Sequence, residues 1–361
     1  MPSEEPRPSA ATGLDITTLA TDGSEGRRQD VVLPATPSPA DRTEQAPRVT
    51  LGRLWDAGIG LLVVYAAIII IFSQLSPFFL TKNNFLNILV GVSILGIVAA
   101  TQTMVIISRG FDLSVGSTVA LAGVVTAEIL NAGGSDPLAV AGAIGVGLVV
   151  GLINGLLITV VRVNPLITTL AMLSIVRGIA YVWTDALTQV FPGPNLRQLG
   201  TGRVLSDIPI SVLIMLAVFV AVWLTLRFTT FGRSLFAVGG NPRAALLAGI
   251  DVSRVQLTAY VISGLSAGFA GAILAAQLSA GSPQAANGLE LNAVAAVVLG
   301  GASLSGGRGR VWGTLLGALI METLRNGLVL TDVSSFYQMI AWGGVLLLAV
   351  VIDQLRRGEA S

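Results

Sequence analysis

Ten apolar runs follow one another through this 361-residue chain, near 54–75, 85–107, 114–130, 137–161, 165–185, 209–226, 255–279, 289–306, 311–330 and 336–353. Most reach the roughly 20 residues that an α-helix needs to cross a bilayer. Inside lipid every backbone N–H and C=O must be satisfied by the structure itself, which restricts spanning segments to helices or a closed barrel, and a barrel strand needs only about 9–11 residues. The expected fold class is an all-α membrane protein: a polytopic bundle of about ten transmembrane helices. Charge agrees, since charged residues make up 11% of the chain against roughly 25% in soluble domains. The eighth run breaks at Gly300-Gly301, so its irregular backbone is expected to be buried in protein or to line a cavity.

The residues before the first run are rich in Pro, Ser, Thr and charge and lack an apolar period. Such a segment buries too little apolar surface to offset its ordering entropy. The expected organisation is a disordered cytoplasmic tail over 1–50, a transmembrane domain over 51–353 and a short cytoplasmic tail over 354–361. Basic residues set the orientation. With ten crossings and the N-terminus inside, Arg48, Arg53, Arg109, Arg162, Arg227, Arg233, Arg243, Arg254, Arg308, Arg310, Arg356 and Arg357 fall on the inner side, against Lys82, Arg197 and Arg203 outside. Both termini are then cytoplasmic. If the eighth run turned back without crossing, the last four Arg would move outside, so the bias favours ten crossings.

Between the sixth and seventh runs lies TTFGRSLFAVGGNPRAALLAGID (229–251). Asn241 can cap a helix, Pro242 suits the first helical position, Ala245, Leu246 and Leu247 continue it, and Gly249 offers the left-handed turn that stops it. Arg233 and Arg243 keep the segment on the basic side. A helix of about two turns is too short to span. It fits a docking element and an ordinary interfacial loop helix equally.

The chain contains no Cys and no His. That excludes disulfides, thiolate or imidazole metal sites and any nucleophile–His dyad. Its one lysine, Lys82, is followed by Asn83, so it cannot supply the GK[ST] of a phosphate-binding loop. If ATP drives the protein, the nucleotide sits on another polypeptide. No catalytic residue, metal site or cofactor bound by this chain is expected.

Ionisable groups within membrane segments default to functional candidates. Here they are Arg177, Glu322 and Arg325, with Glu128 near a span end. Glu322 and Arg325 stand three apart on one helix face and can pair. Asp112 and Glu290 each precede a run and suit either a helix N-terminus or a transport path. Gln102, Ser117, Asn154, Asn292 and Asn326 are neutral groups that suit contacts with a polyol or bonds between helices. There is also an internal echo. Gly110-Phe111-Asp112-Leu113-Ser114 resembles Gly288-Leu289-Glu290-Leu291-Asn292, and each half later carries a Gly-xxx-Gly pair (Gly147/Gly151, Gly313/Gly317) before Asn-Gly-Leu. With Asp112 in an inner loop and Glu290 in an outer one, the pattern is that of an inverted repeat.

Five longer stretches carry a resemblance: IISRGFDLSVGS (106–117), NPLITTLAMLSIVRGIAY (164–181), FGRSLFAVGGNPRAALLAGIDV (231–252), NGLELNAVAAVVLGGASLSGGRGRVWGTLLGALI (287–320) and SSFYQMI (334–340). Over roughly residues 55–353 the chain resembles the permease subunit of bacterial ABC importers of the ribose/xylose type. The resemblance implies a transport subunit rather than an enzyme, a multi-pass protein of the bacterial inner membrane. It implies partners: ATP-binding subunits holding ATP and Mg, an extracytoplasmic sugar-binding protein, and a second permease subunit in a homodimer. It makes Asn241–Gly249 the coupling helix seated on the ATPase, with Arg243 where such permeases often carry a Glu. An ion-coupled secondary transporter using Asp112, Glu290 and Glu322, and a permease for branched-chain amino acids, are the alternatives.

Overall fold

The computed structural model describes residues 59–191, 195–204 and 207–358. The expected tail over 1–50 lies outside them. Ten helices correspond one to one with the ten runs: α1 (Ile59–Leu75), α2 (Lys82–Ile107), α3 (Val115–Asn131), α4 (Asp136–Thr159), α5 (Pro165–Thr184), α7 (Ile210–Phe228), α10 (Val252–Leu278), α11 (Leu289–Leu299), α12 (Val311–Leu330) and α13 (Ser335–Gly358). Short helices α6 (Asn195–Thr201), α8 (Thr230–Gly240) and α9 (Pro242–Leu247) connect them. Two antiparallel pairs of two-residue strands staple one end of the bundle: β1 (Gln189–Val190) with β4 (Ala280–Gly281), and β2 (Arg203–Val204) with β3 (Ile208–Pro209). The last helix continues to Gly358, past the expected span end at 353.

Local chemistry starts these helices where the sequence marks them. Thr81 accepts from the Asn84 N–H at the head of α2, Asn164 from Leu166 N–H before Pro165 at α5, and Asp251 from Arg254 N–H at α10. Among the described residues five helices, α2, α4, α5, α7 and α10, are by length and composition apolar enough to cross a membrane. Their burial separates centre from periphery. The most apolar window of α2 is 89% buried and that of α10 67%, against 28% for α5. So α2 and α10 form the axis, and α5 turns most of its surface outward.

With lipid as solvent, helices associate through close packing and polar bonds rather than water exclusion. The most extensive pair, α4 on α10, meets glycine to glycine: a Cβ on Gly147 would stand 2.0 Å from the Gly264 carbonyl oxygen, and one on Gly264 2.2 Å from that of Gly147. The second Gly-xxx-Gly pair also meets backbone, but on α11, where Gly313 and Gly317 face Gly300 and Ala296. The two halves of the echo thus pack against different partners.

The eighth segment resolves the topological question. Helix α11 is 11 residues long, about 16 Å at 1.5 Å per residue, too short to cross alone. Irregular backbone completes the passage on both sides. At one side 279–288 leaves the β1–β4 end, and Arg177 donates to the carbonyls of Pro283 and Ala285 at 2.8 and 2.7 Å. At the other, Gly307 N–H reaches the Ile107 carbonyl at 2.9 Å, at the α8–α9 end. The segment therefore travels from one end of the bundle to the other. Its non-helical backbone is satisfied in part by the protein itself, by Arg177 on one side and by Ile107 on the other.

Candidate functional site

At the end where α2 stops, three loops meet. The turn after α2 places Arg109 in the left-handed region, φ 68°. From there its Nε donates to the Gly239 carbonyl and its Nη2 to that of Gly240, both at 2.7 Å. These are the last carbonyls of α8, which lack helical partners and carry the negative end of the helix dipole, so a guanidinium is well matched to them. Gly239 also packs directly on the Ile107 carbonyl and the Gly307 N–H, where a Cβ would stand 1.8 and 2.4 Å away. A single contact thus ties the α2–α3 turn, the α11–α12 loop and the base of α9.

Helix α9 is built as its residues dictate. Asn241 Oδ1 accepts from Arg243 and Ala244 N–H, both at 3.1 Å, Pro242 opens the helix, and Gly249 closes it at φ 82°. Ala245 is buried against the bundle at 4% exposure, while Leu246 and Leu247 are 63% and 90% exposed. Arg233 and Arg243 are exposed as well. Helix α9 presents Leu246, Leu247 and Arg243 outward, and Arg233 is exposed on the preceding α8. If Arg109 holds the base of α9, Arg109→Ala is expected to speed amide exchange across 237–248 by about tenfold, for loss of ~1–2 kcal/mol of charge-assisted bonding. Arg109→Lys should give a smaller change. Hydrogen exchange followed by mass spectrometry checks this, and equal rates in Arg109→Ala and the parent would contradict it.

Three residues beyond Arg109 the chain turns inward, and Asp112 is buried at 1% exposure rather than lying in an open loop. Its Oδ1 accepts from the Ser114 hydroxyl at 2.6 Å and the Ser114 N–H at 3.1 Å, and its Oδ2 accepts from the Ser263 hydroxyl at 2.9 Å. Asn154 donates to the Ser114 hydroxyl at 2.8 Å and approaches Asp112 at 3.5 Å. Ser117 donates back to the Ser114 carbonyl at 2.9 Å. The Tyr260 hydroxyl joins both the N–H and the carbonyl of Phe111, each at 3.1 Å. The structure brings Asp112, Ser117 and Asn154 into one network with Ser114, Tyr260 and Ser263. Tyr260 and Ser263 stand three apart on one face of α10, but Gln256, Ser266 and Gln277 on the same helix are polar too, so the sequence alone did not single them out.

Glu290, read from the sequence as either a helix N-terminal acid or a path group, is the second residue of α11, 7% exposed, and its carboxylate lies against Gly116, where a Cβ would stand 2.0 Å from Oε2. Asp112 thus bonds to Ser114 just before α3, and Glu290 lies against Gly116 in its first turn. Asn292 is half-buried on the same helix. Gln102, five residues before the end of α2, is fully buried, and neither atom of its amide has a hydrogen-bond partner. Asn326 stands apart from this group, bonded through Nδ2 to Asn84 Oδ1 at 2.8 Å. Beside it the expected Glu322–Arg325 pair forms at 3.3 Å.

Comparison with known proteins decides the lineage. A family model described as branched-chain amino acid transport system / permease component matches residues 84–352. The chain belongs to this permease family. Among curated relatives, the permease is 44% identical to the ribose import permease protein RbsC of Escherichia coli (strain K12), over 82% of this chain and 93% of the relative. It is 39% identical to the L-arabinose ABC transporter permease protein AraH of Azospirillum brasilense, over 90% and 96%. It is 37% identical to the D-allose transport system permease protein AlsC of Escherichia coli (strain K12), over 83% and 92%. No solved structure matches this chain. A multi-pass membrane permease, with apolar helices in register with the matched segment, is what the fold and the family share.

Proposed function

We propose that this permease is the membrane subunit of an ATP-driven monosaccharide importer. The observation that carries this is near full-length identity of 37–44% to permeases named for ribose, arabinose and allose. The family model's description mentions branched-chain amino acids, but these relatives, matched over more than 90% of their own length, are named for sugars. On this reading ATP and Mg are held by separate ATPase subunits, and a binding protein delivers sugar at the β1–β4 end. A second copy of the chain completes the path. Helix α9 is the coupling helix, using Arg233, Asn241, Pro242, Arg243, Ala245, Leu246, Leu247 and Gly249. The α9 end is cytoplasmic, with both termini on that side. The arginine excess favours it, and the joining of Arg109, Gly239, Gly240 and Gly307 at one place is consistent with it.

The mechanism uses rigid parts. ATP binding closes the ATPase pair and moves α9. The contact of Arg109 with Gly239 and Gly240 passes that motion to the turn before Asp112, and packed helices convert it to alternating access. A neutral sugar asks for hydroxyl and amide partners rather than a fixed counter-charge. Gln102, with its unpaired buried amide, Asp112, Ser117, Asn154, Glu290, Asn292 and Asn326 are the path candidates.

Proteoliposomes containing the permease, the ATPase and the binding protein encoded beside it test this. The expected result is ATP-dependent accumulation of D-ribose, L-arabinose or D-allose, absent when the ATPase is omitted. Uptake by the permease alone on an ion gradient, or accumulation of leucine and no sugar, would overturn it.

A further inference from the structure

At the end opposite α9, α5 runs on into a short segment that lies along the loop between α10 and α11. The β1–β4 pairing joins them, Gln189 facing Gly281 and Val190 facing Ala280. Phe191 N–H donates to the Ser279 carbonyl at 3.3 Å, Gln284 Nε2 donates to the Ala186 carbonyl at 2.8 Å, and the hydroxyls of Thr188 and Ser282 meet at 3.2 Å. Two turns back on α5, Arg177 bonds the Pro283 and Ala285 carbonyls of the same loop. We propose that 185–190 is a strap that closes this end of the permease at rest and lifts in each transport cycle, with Arg177 as the positioning residue that draws α5 and the strap onto the loop. The proposal rests on the importer reading above and adds to it the element that moves at the end where sugar enters.

The connection is local. Helix α5 packs on α3 and α4 and turns most of its surface outward. Among the described residues its hydrogen bonds to the α10–α11 loop are those of Arg177 and of the strap that follows it. The two sides are also anchored differently. The loop belongs to the core: a Cβ on Gly281 would stand 2.5 Å from the Gly123 carbonyl oxygen and 2.7 Å from the Val124 Cα, both backbone of α3. The strap rides outside it. Asp185, Ala186, Leu187, Thr188 and Val190 are exposed, while Phe191 at the far end is buried and serves as the anchor. Residues 185–190 can therefore leave the loop without opening the core.

The backbone points to a switch rather than a permanent joint. Of the seven non-glycine residues with positive φ among the described residues, four stand here: Asp185 at 49°, Ala186 at 59°, Ser279 at 53° and Ala286 at 55°. Asp185 and Ser279 end α5 and α10, where a left-handed residue is common. Ala186 and Ala286 have no polar side chain to offset that conformation. Strained residues persist where surrounding bonds hold them, and they concentrate in switch regions, because breaking those bonds relieves the strain. The strap and its loop each carry such a residue, so the bonds that close them work against both backbones.

The test uses the whole complex in proteoliposomes and whichever of D-ribose, L-arabinose or D-allose the parent accumulates. If the parent accumulates none, the importer reading fails, and the strap falls with it. The chain contains no cysteine, so a pair introduced by Thr188→Cys and Ser282→Cys is the only one in the permease. These positions continue the β1–β4 register, and residues opposed in an antiparallel pair stand about 4.5–5.5 Å apart at Cα, within disulfide reach. Oxidised before reconstitution, this variant should take up sugar about tenfold or more slowly than the same protein reduced, and reductant should restore the rate. Val190→Cys with Ala280→Cys gives a second pair in register, which guards against a folding defect peculiar to the first. A further readout is Ala280→Cys alone, at a site buried beside the strap. Its labelling by a water-soluble maleimide should quicken at least about threefold during turnover with sugar, and adding Arg177→Ala should quicken the resting rate by a similar factor, with Arg177→Lys between. Uptake within about twofold in the oxidised and reduced forms of both pairs, or labelling of Ala280→Cys unchanged by turnover, would overturn the strap and leave the importer reading standing.

Discussion

The double substitution Leu246→Asp/Leu247→Asp is expected to abolish sugar-stimulated ATP turnover and uptake while leaving the permease itself folded. Both side chains project from a six-residue helix and are among the most exposed leucines of the chain, at 63% and 90%. Burying a leucine against a partner contributes roughly 1.5–3 kcal/mol, so losing two removes ~3–6 kcal/mol of docking, a hundredfold or more in affinity. Two carboxylates placed in an apolar seat weaken it further by desolvation. Neither residue supports the bundle, so thermal unfolding of the isolated permease should move little, as for exposed sites generally. Co-purification with the ATPase, ATP turnover and uptake in vesicles measure the effect. Full coupling in the double variant would remove α9 from the docking role. A single change, Leu247→Asp, should act in the same direction with about half the energetic effect.

Gly264→Leu should prevent assembly of the α4–α10 pair. A side chain there has no soft neighbour to displace: its Cβ would meet the Gly147 carbonyl at 2.2 Å and the Gly151 Cα at 2.9 Å, both backbone. The helices would have to separate, forfeiting the close packing that replaces hydrophobic association in lipid. The damage reaches the buried network, because Ser263, the preceding residue, holds Asp112 at 2.9 Å. Overpacking costs typically 1–3 kcal/mol, more when backbone is struck, and loss of the buried bond to Asp112 adds ~1.5–3 kcal/mol. The expected outcome is loss of the monodisperse species in detergent, or a Tm lower by about 10 °C or more. Gly178→Ala on α5 is the control, since a Cβ there meets nothing within 4 Å. Equal stability of the Gly264 and Gly178 variants would contradict this account of the bundle axis.

The elements themselves were legible for a simple reason. Apolar runs of spanning length have one backbone solution in lipid, and Asn, Pro, Asp and Gly at their edges act within three or four residues. Thus Asn164, Asn241 and Asp251 cap as their positions require, and Gly249 adopts the left-handed turn its position asks for. The Glu322–Arg325 pair was legible for the same reason, since a helix alone sets i,i+3 contacts. The site was only partly so. Asp112, Ser117 and Asn154 could be picked out as polar groups in apolar surroundings, but their grouping with Ser114 and Ser263 spans up to 151 residues of chain. Arg109 was counted only as a charge that orients the protein. Its two bonds to Gly239 and Gly240 join residues 130 and 131 positions apart, which no local pattern encodes.

By itself, then, the sequence determined that this is a ten-segment helical membrane protein with a short basic-side helix after the sixth crossing, because length, hydropathy and capping act locally. Only the tertiary structure decided how the eighth segment completes its crossing, that Asp112 bonds to Ser263 on α10 while Glu290 lies against Gly116, and that Asn326 keeps a buried oxygen unpaired. Those outcomes depend on which backbones approach closely enough to bond. Glycines such as Gly116, Gly239 and Gly264 permit that approach, but the partner each one admits is fixed only when the helices come together.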